Sequence, residues 1–478
     1  MELTDNISKQ IKYLLYFLLA VVIYFVFFHR LGSFYMRTWD ESIYAVNSFE
    51  MIERGNYIVP YINGNIDIIN DKPPLFFWHQ IISFKLFGYN EFAARFPSAI
   101  YGALTVVLLF SFLAKKYNFI LGFTSAIVLA TSMGFVTFHS SRTGDVDSML
   151  AFGVLAMVIN FIKYKESGLI RYYLFFALFL IFAFLTKTLG ALIILPIFYL
   201  LLFKDNYKVL FNLKFQAINL LVILAIGAFL YFRNNYEDHY FTTHFLAYFG
   251  RFKTQYNPDH KQPFDFYFNN LINLRYSMYS VLLIPAAYMV YKEQNTSLRN
   301  NIGFALISSI FFLLILSLSS SKCYWYDVPL YPLFAIAIGY FIWKIAYNIS
   351  ANLKSITLFV LLFLTIPSYF AIKRSHNNDI ADVNARKCEV IPEYFHNHKN
   401  MPYASISVVD GNYNSPTLFY KYHFRQYKKE IIIKQGSELK INEIVIAGND
   451  SIKNYITTHY QTEQLETYKN ATIYKIKQ

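Results

Sequence analysis

Apolar runs of about 14 to 20 residues, separated by short stretches carrying lysine or arginine, recur along the first 372 positions of the chain. Each run approaches the length at which a helix rising about 1.5 Å per residue crosses a hydrocarbon core of roughly 30 Å. The pattern predicts about eleven transmembrane helices: Ile11–Phe28, Ser98–Ala114, Phe119–Phe138, Ser148–Ile162, Tyr172–Leu185, Leu189–Phe203, Phe215–Phe232, Ser277–Tyr291, Ile302–Leu318, Val328–Trp343 and Ile356–Ile372. Beyond Ile372 the pattern changes. YASISVVD, EIIIKQ, INEIVIAG and ATIYKIK alternate with period two, and SPTLFYKYHF and SIKNYITTHY between them read as helices. Residues 373–478 are therefore expected to form a small soluble α/β domain after a membrane domain spanning 1–372.

Composition agrees with the pattern: 55% of the 478 residues are hydrophobic, 20% are aromatic and only 15% are charged, which excludes an ordinary soluble domain. Lys9 and Lys12, Lys115 and Lys116, Lys163 to Arg171, Lys204 to Lys214, Lys292 with Arg299, and Lys344 with Lys354 fall on one side of the expected membrane, the cytoplasmic side by the positive-inside rule. The other side receives two long loops, three polar turns and the tail, an odd number of spans carrying the tail outward. The net charge of +13 is spread over cytoplasmic loops and tail, which speaks for contact with anionic lipid and not with nucleic acid. No small-residue cleavage site follows the first span, so it reads as a retained helix. Cys323 and Cys388 are too few for a disulfide framework. There is no solenoid period and no low-complexity run.

The stretch Arg37 to Pro97 is far longer than an ordinary helix connection, and its length alone points to function. It carries the pair Asp40 and Glu41, and the run Asp71-Lys72-Pro73-Pro74. As a helix from Asp40 to Arg54, it puts Ala45, Val46, Phe49 and Ile52 on one stripe, with Asp40, Tyr44 and Asn47 opposite. Such a helix would lie flat on the bilayer and hold Asp40 and Tyr44 at the level of a lipid head group. An aspartate at a helix start is also a common N-cap, and Asp40 alone is open to that reading.

The order WDE…Y…G…P…NG…DKPP…W…FG.NEFAARFPSA resembles the first outer loop of the GT-C glycosyltransferases of the aminoarabinose transferase and protein O-mannosyltransferase superfamily, and the resemblance extends through most of the membrane portion. It implies a multi-pass enzyme of the bacterial inner membrane with its active site and C-terminal domain on the periplasmic face. It also implies a polyprenyl-phosphate sugar donor, a lipid, glycan or protein acceptor, and inversion at the anomeric carbon. Ile43 stands where the aminoarabinose transferases carry Arg before the helix Tyr, which points away from aminoarabinose transfer to lipid A.

Further polar turns fit the same picture. SSRTGDVDSMLAFG puts Arg142, Asp145 and Asp147 where a span enters the membrane. Asp145 reads equally as an N-cap. Asp147 matches the family aspartate that begins the corresponding helix, and Arg142 faces either a carboxylate or a phosphate. Lys187, in FLTKTLGALIILP, occupies the place of the family's Lys-Gly-Pro-like turn, with Thr188 and Leu189 for Gly and Pro; simple snorkelling also accounts for it. The loop Asn234 to Asn273 contains His239, His244, Arg251, His260 and Pro263 and resembles the family loop that lines the donor phosphate. In the aminoarabinose branch a His of this loop joins the acid beside Lys-Pro-Pro in a metal site, which here would pair His260 with Asp71 around a divalent metal. Lys322, Tyr326, Pro329 and Pro332 resemble the family's Lys-x-x-x-Tyr…Pro…Pro segment, and an interfacial aromatic belt explains Trp325 as well.

Moving a sugar off a phosphate requires cations on the leaving group, a base for the incoming hydroxyl, and exclusion of water. Lys72, Arg142, Lys187, Arg251 and Lys322, with Tyr44 and Tyr326, are the candidates for the phosphate. Asp40, Glu41 and Asp147 are the candidate catalytic carboxylates, Asp40 foremost. No Gly-rich phosphate loop occurs on the cytoplasmic side, and Asp145-Val146-Asp147 spells a nucleotide-sugar motif on the wrong face. Two other classes stand beside the enzyme. A transporter or flippase of lipid-linked sugars would show repeat symmetry and charges at mid-helix. A non-catalytic scaffold would leave these polar elements without a task.

Overall fold

The computed structural model describes residues 7–137, 139–237, 239–242, 260–276, 279–349, 364–373, 390–409, 415–434 and 439–478. The chain divides into two compact units. One comprises Met1–His29, Ile68–Phe76 and Pro97–Asn377; the other comprises Arg30–Asp67, Phe77–Phe96 and Asn378–Gln478.

Seven helices among the described residues are long and apolar enough to cross a membrane: Lys9–Phe28, Glu91–Lys116, Asp147–Ser167, Thr188–Asp205, Leu213–Tyr236, Thr296–Leu318 and Tyr324–Ile349. Three shorter apolar helices, Phe119–Ala130, Ile170–Thr186 and Ser280–Lys292, overlap three further expected spans. The protein is a polytopic helical membrane protein. Of the eleventh expected span, Ile356–Ile372, residues 364–372 are described and helical, and residues 356–363 lie outside the described residues.

Asparagines start several of these helices by accepting from first-turn N–H groups: Asn118 from Leu121 N at 2.7 Å and Asn295 from Leu298 N at 3.1 Å. The run expected as one span over Phe119–Phe138 is broken: the helix stops at Ala130 and a single turn, Met133–Val136, follows. Thr131 Oγ1 donates back to Ile127 O (2.7 Å) and Ser132 Oγ to Val128 O (2.6 Å), so these hydroxyls compete for carbonyls that a continuing helix would use. Helices Phe119–Ala130 and Tyr331–Ile349 approach closely at Gly339. A Cβ there would come within 2.6 Å of the Ser125 backbone, and Thr124 Oγ1 donates to Gly339 O at 3.1 Å. This is small-residue packing, suited to helices that gain little from hydrophobic association within lipid.

In the second unit the helix expected over Asp40–Arg54 has those bounds and ends on Gly55, whose φ of 65° supplies the left-handed cap. It is not a flat amphipathic helix, because Tyr44, Asn47, Ser48 and Glu50 are buried along with Ala45 and Val46. The polar side chains have partners inside: Asn47 Nδ2 donates to Tyr61 O (2.8 Å) and Asp67 Oδ2 (3.0 Å), and Ser48 Oγ to Gln80 Oε1 (2.7 Å). Satisfied hydrogen bonds let polar residues go where periodicity alone would have left them in water. Strands β1 (Tyr61–Ile62) and β2 (Asn65–Ile66) form a hairpin across Asn63 and Gly64, whose φ values of 51° and 77° suit that turn.

The tail supplies a five-stranded sheet from β3 (Ser405–Val409), β4 (Glu430–Lys434), β5 (Ile444–Ala447), β6 (Thr462–Tyr468) and β7 (Ala471–Ile476), in the order β4-β3-β5-β7-β6. β3 runs parallel to β4 and β5, whereas β7 is antiparallel to β5 and β6. One core joins the sheet residues Ile406, Val408 and Ile431 to Leu418 and Phe419 of the Ser415–Arg425 helix and to Ala45 and Val46 of the Asp40–Arg54 helix. The tail and the first long loop therefore share a hydrophobic interior.

Candidate functional site

In the first unit, the start of the Asp147–Ser167 helix, the turn at Lys187, and the end of the Thr296–Leu318 helix surround a cavity of about 300 Å³. Leu150, Leu189, Leu192, Ile193, Phe312, Ile315 and Leu316 make most of its wall apolar, and Lys72, Lys187, Tyr326, Ser319 and Ser321 contribute the polar groups. A mostly apolar pocket with a few convergent polar groups is the usual form of a small-molecule or lipid site.

Lys187 sits where the Ile170–Thr186 helix ends, and its Nζ donates to Asp147 Oδ1 at 2.6 Å. The same ammonium lies 4.6 Å from the centre of the Tyr326 ring. Asp147 is buried, so its negative charge depends on this lysine. Lys72 pairs with its neighbour Asp71, and the Asp71 backbone carbonyl accepts from Tyr240 Oη at 2.8 Å. Two expected cations, Lys72 and Lys187, thus line one cavity together with the expected Tyr326.

Arg142 and Lys322 have other surroundings. Arg142 donates to the carbonyls of Val26 (2.8 Å) and His29 (3.1 Å), closing the end of the first span. Lys322 Nζ donates to Gln262 O at 2.9 Å and to Ser319 O, and burial pulls its pKa down. His260 lies beside it, its backbone oxygen accepting from Lys322 N at 2.8 Å and its Nδ1 standing 3.6 Å from Cys323 Sγ. Arg251, His244 and Cys388 lie outside the described residues.

In the second unit, Asp40 opens its helix, half-buried, directly after Trp39, whose φ of 73° is an uncommon backbone state for a bulky residue. Glu41, 3% exposed, takes a two-point ion pair from Arg95, Nε to Oε1 at 2.6 Å and Nη2 to Oε2 at 3.1 Å. It also accepts from Arg37 N at 2.9 Å. Arg95, 1% exposed, spends its remaining donors on Leu31 O, Phe34 O and Tyr35 O, so Glu41 and Arg95 tie the approach to the Asp40 helix. Tyr44 is buried edge-on to Phe77, ring centres 5.8 Å apart.

Arg275, Asp327, Tyr331, His139 and Tyr267 gave no sequence signal. Arg275 pairs with Asp327 (3.2 Å) and donates to Gly134 O (2.7 Å), while Tyr331 Oη donates to Asp327 Oδ2 (3.0 Å). His139 stacks on Trp325, ring centres 3.7 Å apart, and pairs with Asp145 at 3.1 Å. Burial pushes the Asp145 carboxyl up, but His139, with Thr143 and Lys187, outweighs it and holds the group below its ordinary value. Tyr267 lines the cavity and donates to Cys323 O at 3.0 Å.

Residues 71–232 match the family model described as dolichyl-phosphate-mannose-protein mannosyltransferase. An uncharacterized protein of Aquifex aeolicus is 26% identical over 446 residues, covering 90% of this chain and 98% of its own. The undecaprenyl phosphate-alpha-4-amino-4-deoxy-L-arabinose arabinosyl transferase of Aeromonas hydrophila is 29% identical over 259 residues, 52% of this chain and 46% of its own. Among solved structures, ArnT from Cupriavidus metallidurans bound to undecaprenyl phosphate superposes with a TM-score of 0.71 at 12% identity, covering 98% of both chains. The Archaeoglobus fulgidus oligosaccharyltransferase does so with a TM-score of 0.54 at 10% identity, over 98% of this chain and 74% of its own. The helical membrane fold is shared with ArnT, and in sequence the chain is similar to membrane glycosyltransferases of the aminoarabinose transferase and protein mannosyltransferase kind.

Proposed function

We propose that the protein transfers a hexosyl or pentosyl unit from a polyprenyl-phosphate donor to a lipid, glycan or protein acceptor at the periplasmic face of a bacterial inner membrane. The observation that carries this reading is the cavity in which Lys72 and Lys187 stand among apolar walls. An isoprenoid tail needs such walls, and a phosphate needs such cations. The relative crystallised with undecaprenyl phosphate supports the choice of lipid.

In the proposed reaction an acceptor hydroxyl attacks the anomeric carbon. The bond from that carbon to the phosphate oxygen breaks, the lipid phosphate leaves with the electron pair, and the hydroxyl proton passes to Asp40. Single displacement inverts the anomeric centre. Lys72 and Lys187, with Arg251, neutralise the charge that grows on the leaving oxygen. Asp147 holds the Lys187 ammonium, and Tyr326 covers it with a ring face. Arg142, Lys322 and Glu41, whose partners are backbone groups or a buried arginine, hold the scaffold in shape.

A divalent metal, if bound, would take the Asp71 carboxylate and the His260 imidazole, donors of the right kind but only two, with Asp71 already paired to Lys72. Its contribution would be to polarise the phosphate. The proposed test supplies membranes containing the protein with a panel of radiolabelled undecaprenyl-phosphate sugars. Wild type should move label to an acceptor and Asp40→Asn should not. Equal transfer by both removes Asp40 from the role of base.

A further inference from the structure

Among its described residues the tail shows no catalytic constellation, yet its Ser415–Arg425 helix grips the Asp40–Arg54 helix along most of its length. Near the first turn, Ser415 Oγ and Ser42 Oγ are 2.7 Å apart. Farther along, the Tyr422 ring stacks on Phe49, centres 4.6 Å apart at 21°, and Tyr422 Oη donates to Glu50 Oε1 at 2.5 Å. Arg425 meets Glu53 at 3.4 Å at the far end. These contacts span positions 42 to 53, roughly 16 Å of helix at 1.5 Å per residue.

Two of the grips are themselves anchored. Glu50 also accepts from Asn63 N (2.8 Å) and Gly64 N (2.7 Å), so Tyr422 closes a three-donor nest on a buried carboxylate. Tyr420 Oη accepts from Met36 N and donates to Glu91 Oε1, both at 3.1 Å, which joins the tail to the strand of chain leading into Trp39 and Asp40. Glu91 is held in turn by His396 at 2.7 Å. A helix fixed at several points along one side can neither slide nor rotate about its axis without breaking buried hydrogen bonds. What it presents at its N-terminus is then fixed as well, and the Trp39 backbone at φ 73° needs such surroundings to hold it.

We propose that the C-terminal domain is a positioning device for the Asp40 helix, with Ser415, Tyr420 and Tyr422 as positioning residues that set where the Asp40 carboxylate stands. The inference rests on the assignment of Asp40 as base. It gives the tail a task in turnover through the helix it holds.

The test uses the full-length protein in detergent, and the undecaprenyl-phosphate sugar that the labelled panel selects. Tyr422→Phe keeps the stacked ring and removes one hydrogen bond, and a combined Ser415→Ala, Tyr420→Phe, Tyr422→Phe variant removes three of the four polar grips, leaving only the exposed Arg425–Glu53 pair. At a temperature where each variant is monodisperse and fully folded, kcat should fall a few-fold for the single change and tenfold or more for the triple. Binding of undecaprenyl phosphate alone should stay within twofold, and the acid limb of the kcat pH profile should move. A Ser42→Cys, Ser415→Cys pair added to Tyr422→Phe should regain turnover when oxidised and lose it again on reduction. Triple-variant turnover within twofold of wild type, with an unmoved pH limb and an inactive Asp40→Asn control, overturns the positioning role. Full activity of Asp40→Asn overturns the base assignment, and the inference with it, whatever the tail variants do.

Discussion

Replacing Glu41 with Gln separates the two carboxylates that stand side by side at the start of the Asp40–Arg54 helix. Glu41 and Arg95 are 3% and 1% exposed and share two short contacts, so solvent screens the pair little. Glu41→Gln leaves the Arg95 guanidinium buried with its charge uncompensated, and breaking one side of a buried pair costs about 3–5 kcal/mol. At about 2–4 °C per kcal/mol, the melting temperature should drop by roughly 6–20 °C. Asp40→Asn removes a charge from a half-buried first-turn position, which costs under about 1 kcal/mol of helix-dipole interaction. Melting curves in detergent, followed by tryptophan fluorescence, read both. The expected pattern is a thermolabile Glu41→Gln that keeps much of its turnover when cold, and a thermostable, inactive Asp40→Asn. A Glu41→Gln protein that melts with wild type and transfers no sugar refutes the reasoning and makes Glu41 a reacting group.

Lys187→Met should weaken undecaprenyl phosphate binding by about ten- to a hundredfold, the worth of one charge-assisted bond, as read by tritiated-lipid binding; unchanged affinity removes Lys187 from the phosphate site. If Asp71 and His260 hold a metal, purified protein should retain a divalent metal after dialysis and His260→Ala should lose it by elemental analysis; wild type free of any divalent metal ends that reading. Gly339→Leu drives a side chain into the Ser125 backbone, 2.6 Å from its Cβ, so the yield of monodisperse protein should collapse, and a normal yield would mean the two helices can part.

Periodicity located most of the fold because spans and buried strands obey simple repeats. It found the strands Ser405–Val409, Glu430–Lys434, Ile444–Ala447 and Ala471–Ile476 within a few residues. It missed Thr462–Tyr468, an edge strand reading TEQLETY, whose largely exposed residues leave no apolar face to detect. The site was legible at a coarser level. Lys72, Lys187 and Tyr326, taken from motifs far apart in the chain, line one cavity, whereas Arg142 and Lys322 are committed to carbonyls that no spacing rule reveals. Arg95 lay inside an apolar-looking helix and pairs 54 positions away, and long-range pairing of that kind is invisible without coordinates.

Acid should act on the second unit of the structure through His423. Its ring is buried against Phe419, and its Nδ1–H donates to Tyr89 O at 2.5 Å, which leaves Nε2 as the unprotonated nitrogen. Nε2 is buried with no hydrogen-bond partner among the described residues, so a second proton would have no acceptor. Burial accordingly pushes the His423 pKa below its ordinary value; Glu91 pulls it back upward, while Lys399 and His396 add to the depression. With the folded pKa below that of the unfolded chain, the unfolded state takes up the proton first as pH falls. Stability is therefore whole above about pH 6.5 and declines as pH drops from there towards the folded pKa. His423→Gln can keep the donor to Tyr89 O but cannot titrate. Between pH 7.5 and 5.5 the wild-type melting temperature should fall further than that of the variant. Parallel declines would mean that His423 is protonated in the folded protein already, or that its ring opens to water before the fold does.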